Sequence, residues 1–217
     1  NWAFTADTFG RLVRISRQAM GNDDTDAFTR VPQSMGQAAR RLEMDKVYTL
    51  LTSNPVLGDG VVLFHATHGN VSGAAVPSLA TLGAARAAMP KQKGIAKLDF
   101  IDPQPRVLLV PVELETACEQ LLASLVDPSK SNDTPNVDWI RGLTLVADPR
   151  LDAVSTTQWY LAASPQQVEG IVRAYLEGEQ RPYLEQKEGF EIDALTFKVR
   201  MDLAVGVVDY RALHRNG

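Results

Sequence analysis

His65 and His68 stand three residues apart in the stretch GDGVVLFHATHGN; with one of Asp59, Asp99 or His214 they could ligate a divalent metal that activates water. A zinc site needs a third and usually a fourth ligand. The His-Glu-x-x-His pattern is missing because Ala66 and Thr67 lie between the two histidines. A metal-dependent hydrolase using His65 and His68 is therefore the alternative reading, behind histidines that hydrogen-bond within a loop. Cys118 is the single cysteine, which excludes an intrachain disulfide, and its place on an apolar helix face predicts a buried, inert thiol. No Gly-x-Ser-x-Gly elbow is present, and Lys91–Gly94 lacks the glycine-rich turn of a phosphate cradle. Arg11, Arg14 and Arg17 recur every three residues. In a strand that spacing sends Arg14 to the face opposite the other two, so no single basic stripe forms for nucleic acid.

The elements that must carry these residues are read from periodicity. Phe9, Val13 and Ile15 alternate with Gly10, Leu12, Arg14 and Ser16, so Thr5–Gln18 reads as a strand, imperfect at Arg11. After the polar turn Asn22–Asp24, Phe28, Val31, Met35, Ala38, Ala39, Leu42 and Leu50 fall at helical spacing, with Arg40, Arg41, Glu43 and Lys46 on the opposite face. Pro32 inside this pattern would cost roughly 3 kcal/mol, which predicts a kink or restart near Val31. Ser53–Pro77 reads as loop, a short strand at Val61–Phe64, then loop. Ser78–Met89 returns to helical spacing and ends at Pro90.

Arg106–Pro111 predicts a strand, feeding a helix whose stripe is Leu114, Ala117, Cys118, Leu121, Leu122 and Leu125. The polar run Asp127–Asp138 is a loop. A second strand-helix unit follows: Leu143–Ala147, a turn at Asp148–Pro149, a strand at Gln158–Ala163, then a helix capped by Ser164. Pro165 at its first position, Gln167 in a capping box and the stripe Val168, Ile171, Val172, Tyr175 support that helix. Leu195–Val207 alternates strictly and predicts one long strand with a half-buried face and a bulge or bend near Asp202 or Gly206, entered from a turn at Glu188–Phe190. The sum is α+β architecture rather than a bundle.

At 217 residues the chain can bury roughly 70% of its unfolded surface without a metal or disulfide, and no cofactor is expected. Its net charge of -4 lacks the basic excess of nucleic-acid binders. No apolar run approaches the roughly 20 residues needed to cross a bilayer, so no membrane partner is expected.

The run RISRQAMGNDD, an extended limb followed by an acidic turn and a long helix, resembles the corresponding stretch of tailed-bacteriophage major capsid proteins, in particular the Mu-like major head subunits. GDGVVLFHATHGN resembles the segment after their long helix. PRLDAVSTTQWYLAA and GFEIDALTFKVRMDLAVGVVDYRAL resemble their closing third. The resemblance implies the Hong Kong ninety-seven type capsid fold. Its expected parts are a projecting E-loop return strand over residues 1–23, a peripheral domain with a spine helix over 24–105, an axial α/β domain over 106–182, and long strands over 183–217 returning to the peripheral domain. It further implies a major capsid subunit of a virion, made in the bacterial host cytoplasm and assembling with itself as hexamers and pentamers around DNA held nonspecifically. A scaffold or upstream prohead protease, a portal and decoration proteins are the other partners it suggests. On this reading Arg11, Arg14 and Arg17 make ion pairs between subunits. A start at Asn1 without Met suggests an upstream segment carrying the outgoing E-loop limb. The lysine-to-asparagine cross-link of some relatives cannot start from Asn1–Asp45, which contains no lysine.

Overall fold

The long strand and the long helix organise one half of the molecule, and a five-stranded sheet organises the other. The structure is a computed structural model and describes residues 5–22, 30–124, 137–189 and 193–217. In chain order its elements are β1 (Asp7–Ser16), α1 (Arg17–Gly21), α2 (Val31–Ser53), β2 (Val71–Ser72), α3 (Leu79–Ala88), β3 (Pro105–Val110) and α4 (Glu115–Ala123). Then come α5 (Asp138–Arg141), β4 (Thr144–Ala147), α6 (Pro149–Asp152), β5 (Trp159–Ala163), β6 (Ile171–Tyr175), β7 (Tyr183–Glu188), β8 (Ala194–Val207) and β9 (Leu213–Asn216). This is the expected mixture of helix and sheet.

The chain divides into two compact units, Ala3–Thr49 with Arg173–Gly206, and Leu50–Val172 with Val207–Gly217. In the first, β8 pairs antiparallel with β1 and β7, and β6 completes the sheet. Val13 and Ile15 of β1 pack with Phe197 and Val199 of β8 against Met35 of α2, while Phe9, Met201 and Leu203 close on Ala39. The α2 helix begins at Val31, so Pro32 occupies its first turn, where no intrahelical amide is needed. A helix start thus lies where a kink or restart was expected. The part of the predicted helix from Asp24 through Phe28 lies outside the described residues.

Three expectations about this unit change. Arg17 opens a short helix, capped by the Ser16 hydroxyl, which accepts from Ala19 N–H, so the strand ends at Ser16, two residues before Gln18. Glu43 does not belong to a solvated face; its carboxylate accepts from Arg173 and from the Tyr175 hydroxyl. The β8 strand alternates only as far as Met201, after which Met201 through Ala204 are all buried, and its register with β1 runs unbroken through Asp202. Asp202 needs no bulge because Thr8 donates to its carboxylate and Arg200 approaches it at 3.5 Å.

In the second unit the sheet order is β2-β9-β5-β3-β4, with β3 parallel to β4 and antiparallel to β5. The first predicted strand-helix unit is present as β3 and α4, with Cys118 and Leu121 buried under the helix. Burial alone pushes the Cys118 thiol up to about 11, which suits the inert role expected of it. Leu125 and nearly all of the loop Asp127–Asp138 lie outside the described residues.

The helix expected after Ser164 is a turn followed by β6. Ile171 and Val172 are β-branched and the stripe Val168, Ile171, Val172, Tyr175 is short enough to fit either period; Gly170 precedes it. Gly170 lies so close to the C-terminal segment that an added Cβ would stand 3.0 Å from Ala212 Cβ, and its carbonyl accepts from Val208 N–H. Gln167 accepts from Gln104 N–H instead of closing a capping box. The short strand expected at Val61–Phe64 reduces to a single bridge between Val56 and Val62. Asn54 takes over the pairing, since its amide oxygen accepts from Phe64 N–H at 2.7 Å and its amide nitrogen donates to Phe64 O. Asp148–Pro149 is not a plain turn but the capped start of α6.

Candidate functional site

The two loop histidines are held by different partners. His65 caps a single 3-10 turn, Ala66–His68, with Nδ1 accepting from Thr67 N–H at 3.2 Å. His68 is buried, its Nδ1 lying 3.1 Å from Leu63 O and its Nε2 2.8 Å from Asp59 Oδ2, and its ring stacks on Tyr210 with centroids 3.8 Å apart. Both ring nitrogens are therefore already directed at protein oxygens. Asp59 is held below the usual carboxylate range, first by Val61 N–H at 3.0 Å and then by His68.

Of the residues considered for a metal, the structure joins only Asp59 and His68. Asp99 belongs to a separate loop, accepting through its carbonyl from Gly94 N–H, and His214 lies on β9 beside Ser72. No group of three or more His, Cys, Asp or Glu side chains among the described residues is arranged to hold an ion. An open cleft of about 1030 Å³ does lie beside this knot, bordered by Asp59, His68, Lys91, Lys97, Tyr210 and Arg211. In it Asp59 is bonded to His68, and Arg211 faces Asp209 at 3.3 Å.

His214 is the most strongly perturbed histidine. It is almost fully buried, Nε2 is 2.7 Å from Ser72 Oγ, and Nδ1 meets no hydrogen-bond partner among the described residues. Donation from Nε2–H to Ser72 leaves Nδ1 as a bare lone pair, a smaller loss than stranding an N–H. Burial pushes its pKa from 6.5 down to about 4. Between those values the unfolded chain binds a proton that the folded chain refuses. Stability on the order of 3 kcal/mol is thus present above pH 6.5 and is lost as pH falls toward 4. Thermal melts of the wild-type chain should fall across that window, and His214→Gln should flatten the fall; identical slopes would remove His214 as its source.

The three arginines share one unit but not one environment. Arg11 and Arg14 stand opposite Val199 and Thr196 of β8, on opposite faces of β1. Both are exposed, and neither has an ion-pair partner among the described residues. Arg17 sits on α1 and reaches Asp193 at 3.4 Å in a pair whose side chains are about three-quarters exposed, which adds little stability.

Sequence reasoning missed the residues that knit the loop after α2 to the C-terminal segment. Asn70 is buried; its amide donates to Leu63 O at 2.8 Å and to Tyr210 O at 3.4 Å, and its oxygen accepts from His65 N–H. Its place in a Gly-Asn pair reads as an ordinary turn, and the partners 140 residues away carry no local signal. Trp159 is likewise buried, with its indole N–H donating to Ala75 O at 2.9 Å.

A family model described as phage capsid protein matches residues 3–216. Among curated proteins none matches by sequence. The SrpI encapsulin complex of Synechococcus elongatus PCC 7942 has a TM-score of 0.63 at 12% identity, over 97% of this chain and 73% of that one. For the capsid of cyanophage Pam1 the TM-score is 0.63 at 12% identity, over 98% and 74%. A phage-related protein of Bordetella bronchiseptica RB50 gives 0.59 at 12% identity, over 99% and 73%. At these identities the likeness is one of fold.

Proposed function

The chain belongs to the phage capsid protein family, and from that premise we propose that copies of it assemble, as hexamers and pentamers, into a closed shell around DNA. The match across residues 3–216 carries the reading, because it spans both units of the fold rather than one motif. The chain is a structural capsid subunit with the Hong Kong ninety-seven type fold. Its work is geometric rather than catalytic: the histidines serve the fold. The order of the motifs quoted above favours a Mu-like head subunit, made in the host cytoplasm, with scaffold, protease, portal and decoration proteins as partners outside the shell lattice.

Within that reading, the unit of α2, β1 and β8 is the peripheral domain, β1 is the return limb of the E-loop, and the five-stranded sheet is the core of the axial domain. Arg11, Arg14 and Arg17 supply ion pairs to a neighbouring subunit. Their exposure supports this, together with the absence of an ion-pair partner for Arg11 and Arg14 among the described residues. The double variant Arg14→Glu/Arg17→Glu, expressed at full length, is expected to keep the wild-type melting temperature and to elute as free subunits where the wild type elutes as large assemblies. Normal assembly of that variant would refute the role of the arginines; elution of the wild type itself as a monomer would refute the shell.

A further inference from the structure

We propose that the loop Gln92–Ile101 is a knob by which one copy of the chain engages the α4 face of a second copy, an inference that rests on the shell reading above. The loop is built to hold a shape. Ile101 N–H donates to Gln92 O, Gly94 N–H to Asp99 O and Lys97 N–H to Gly94 O, all at 2.9–3.0 Å. Lys93 and Phe100 form a bridge across it, and buried Gln92 anchors its base by donating to His68 O at 2.8 Å. Lys97 and Asp102 hold φ values of +57° and +53°, a region that side-chain-bearing residues rarely occupy. The Asp99 carboxylate packs directly on Gly94, where an added Cβ would lie 2.5 Å from Oδ1 unless that side chain moved.

On this frame the apolar side chains point the wrong way for a monomer. Ile95 is 91% exposed, Leu98 87% and Phe100 63%. Single exposed apolar residues are ordinary, but three on one short internally bonded loop mark a contact surface. Lysines surround them: Lys93 Nζ lies 5.4 Å from the Phe100 ring, and Lys91 and Lys97 have no ion-pair partner among the described residues. Asp99 packs its carboxylate against Gly94 and Asp102 accepts from Gln104 Nε2 at 2.7 Å, and both acids remain exposed beside the lysines. The tip is therefore an apolar centre whose rim carries three lysines, Lys91, Lys93 and Lys97, against the one carboxylate of Asp99.

The same unit carries the complement. Glu115, Glu119, Leu122 and Ala123 of α4, with Leu143 and Leu145, line an open recess of about 520 Å³. The two carboxylates are one helical turn apart on one face, and neither has an ion-pair partner among the described residues. An apolar floor with an acidic rim meets the tip in both polarity and charge. No residue of the loop lines the recess, so the loop does not fill it within the chain. A contact from the knob of one copy to the recess of the next is head-to-tail, and such contacts close into rings when the rotation per copy allows.

Charge exchange tests the pairing in the full-length protein. Lys91→Glu/Lys97→Glu and Glu115→Lys/Glu119→Lys, each made alone, should lower the sedimenting assembled fraction about ten-fold or more, and the four changes together should restore it. Leu98→Asp should abolish assembly while leaving the melting temperature of the subunit within a few degrees of wild type. The pairing is overturned if either charge-reversed pair assembles normally, if the combined variant stays unassembled, or if Leu98→Asp forms shells. A wild type that assembles beside unaffected variants removes this contact and leaves the shell reading standing. Wild type that never assembles removes both.

Discussion

Trp159→Ala is expected to lower the folding stability of the chain by roughly 3–5 kcal/mol, a large share of the about 5–15 kcal/mol that typically holds a domain together. Trp159 sits on β5, which runs between β9 and β3 in the five-stranded sheet, and no part of its side chain reaches solvent. Truncation opens a cavity at the centre of that sheet and strands the Ala75 carbonyl, which now accepts from the indole at 2.9 Å. Trp159→Phe fills much of the cavity but cannot donate, so it should fall between the two. Urea midpoints of the three chains give the order directly. An alanine variant within 1 kcal/mol of wild type, on the order of a minor surface change, would show that the sheet is not packed around this residue.

Asn70→Leu is the second large effect, expected at roughly 3 kcal/mol although leucine is similar in size to asparagine. The buried amide of Asn70 serves the Leu63 and Tyr210 carbonyls and the His65 N–H at once, tying the loop after α2 to the segment that enters β9. Leucine satisfies none of them, and inside the protein each abandoned group keeps most of its desolvation cost. Asn70→Asp keeps an acceptor for His65 but sets a buried carboxylate against the Leu63 and Tyr210 carbonyls, so it should be at least as destabilising as leucine at neutral pH. Equal stability of all three in denaturant would mean that water replaces the amide at no cost.

The parts of the fold that were legible in the sequence are those with a long, unambiguous period. The β8 alternation from Leu195 to Met201, the α2 stripe through Met35 and Ala39, and the β3–α4 pair with Cys118 inward follow from local patterning. The failures are equally local. Val168–Tyr175 supports either period, and what decides it is the close approach of Gly170 to Ala212, a contact that no window of sequence contains. A bend near Asp202 is expected because fourteen residues is long for one strand, yet the register with β1 runs through it and Thr8, far away in sequence, supplies the hydroxyl that lets it be buried.

The histidines show the same limit from the side of function. Their spacing could be weighed against metal chemistry, but the Asp59–His68–Tyr210 knot became visible only once the C-terminal segment was folded beside the loop. Of the knob, local sequence marks only the polar stretch Lys91–Gly94 as a loop with solvated lysines. Exposure of Ile95 and Leu98 is a property of the tertiary structure, not of the letters. Similarity across the ordered series of motifs, rather than any one of them, carried the family.

The most direct measurement of the central claim is electron microscopy of the purified full-length product, imaged without added partners and then with its scaffold if one is required. The account predicts closed shells or their flat and tubular relatives, built from rings of five and six copies in which each subunit shows the long helix beside the long strand. A homogeneous population of separate subunits under both conditions would contradict it.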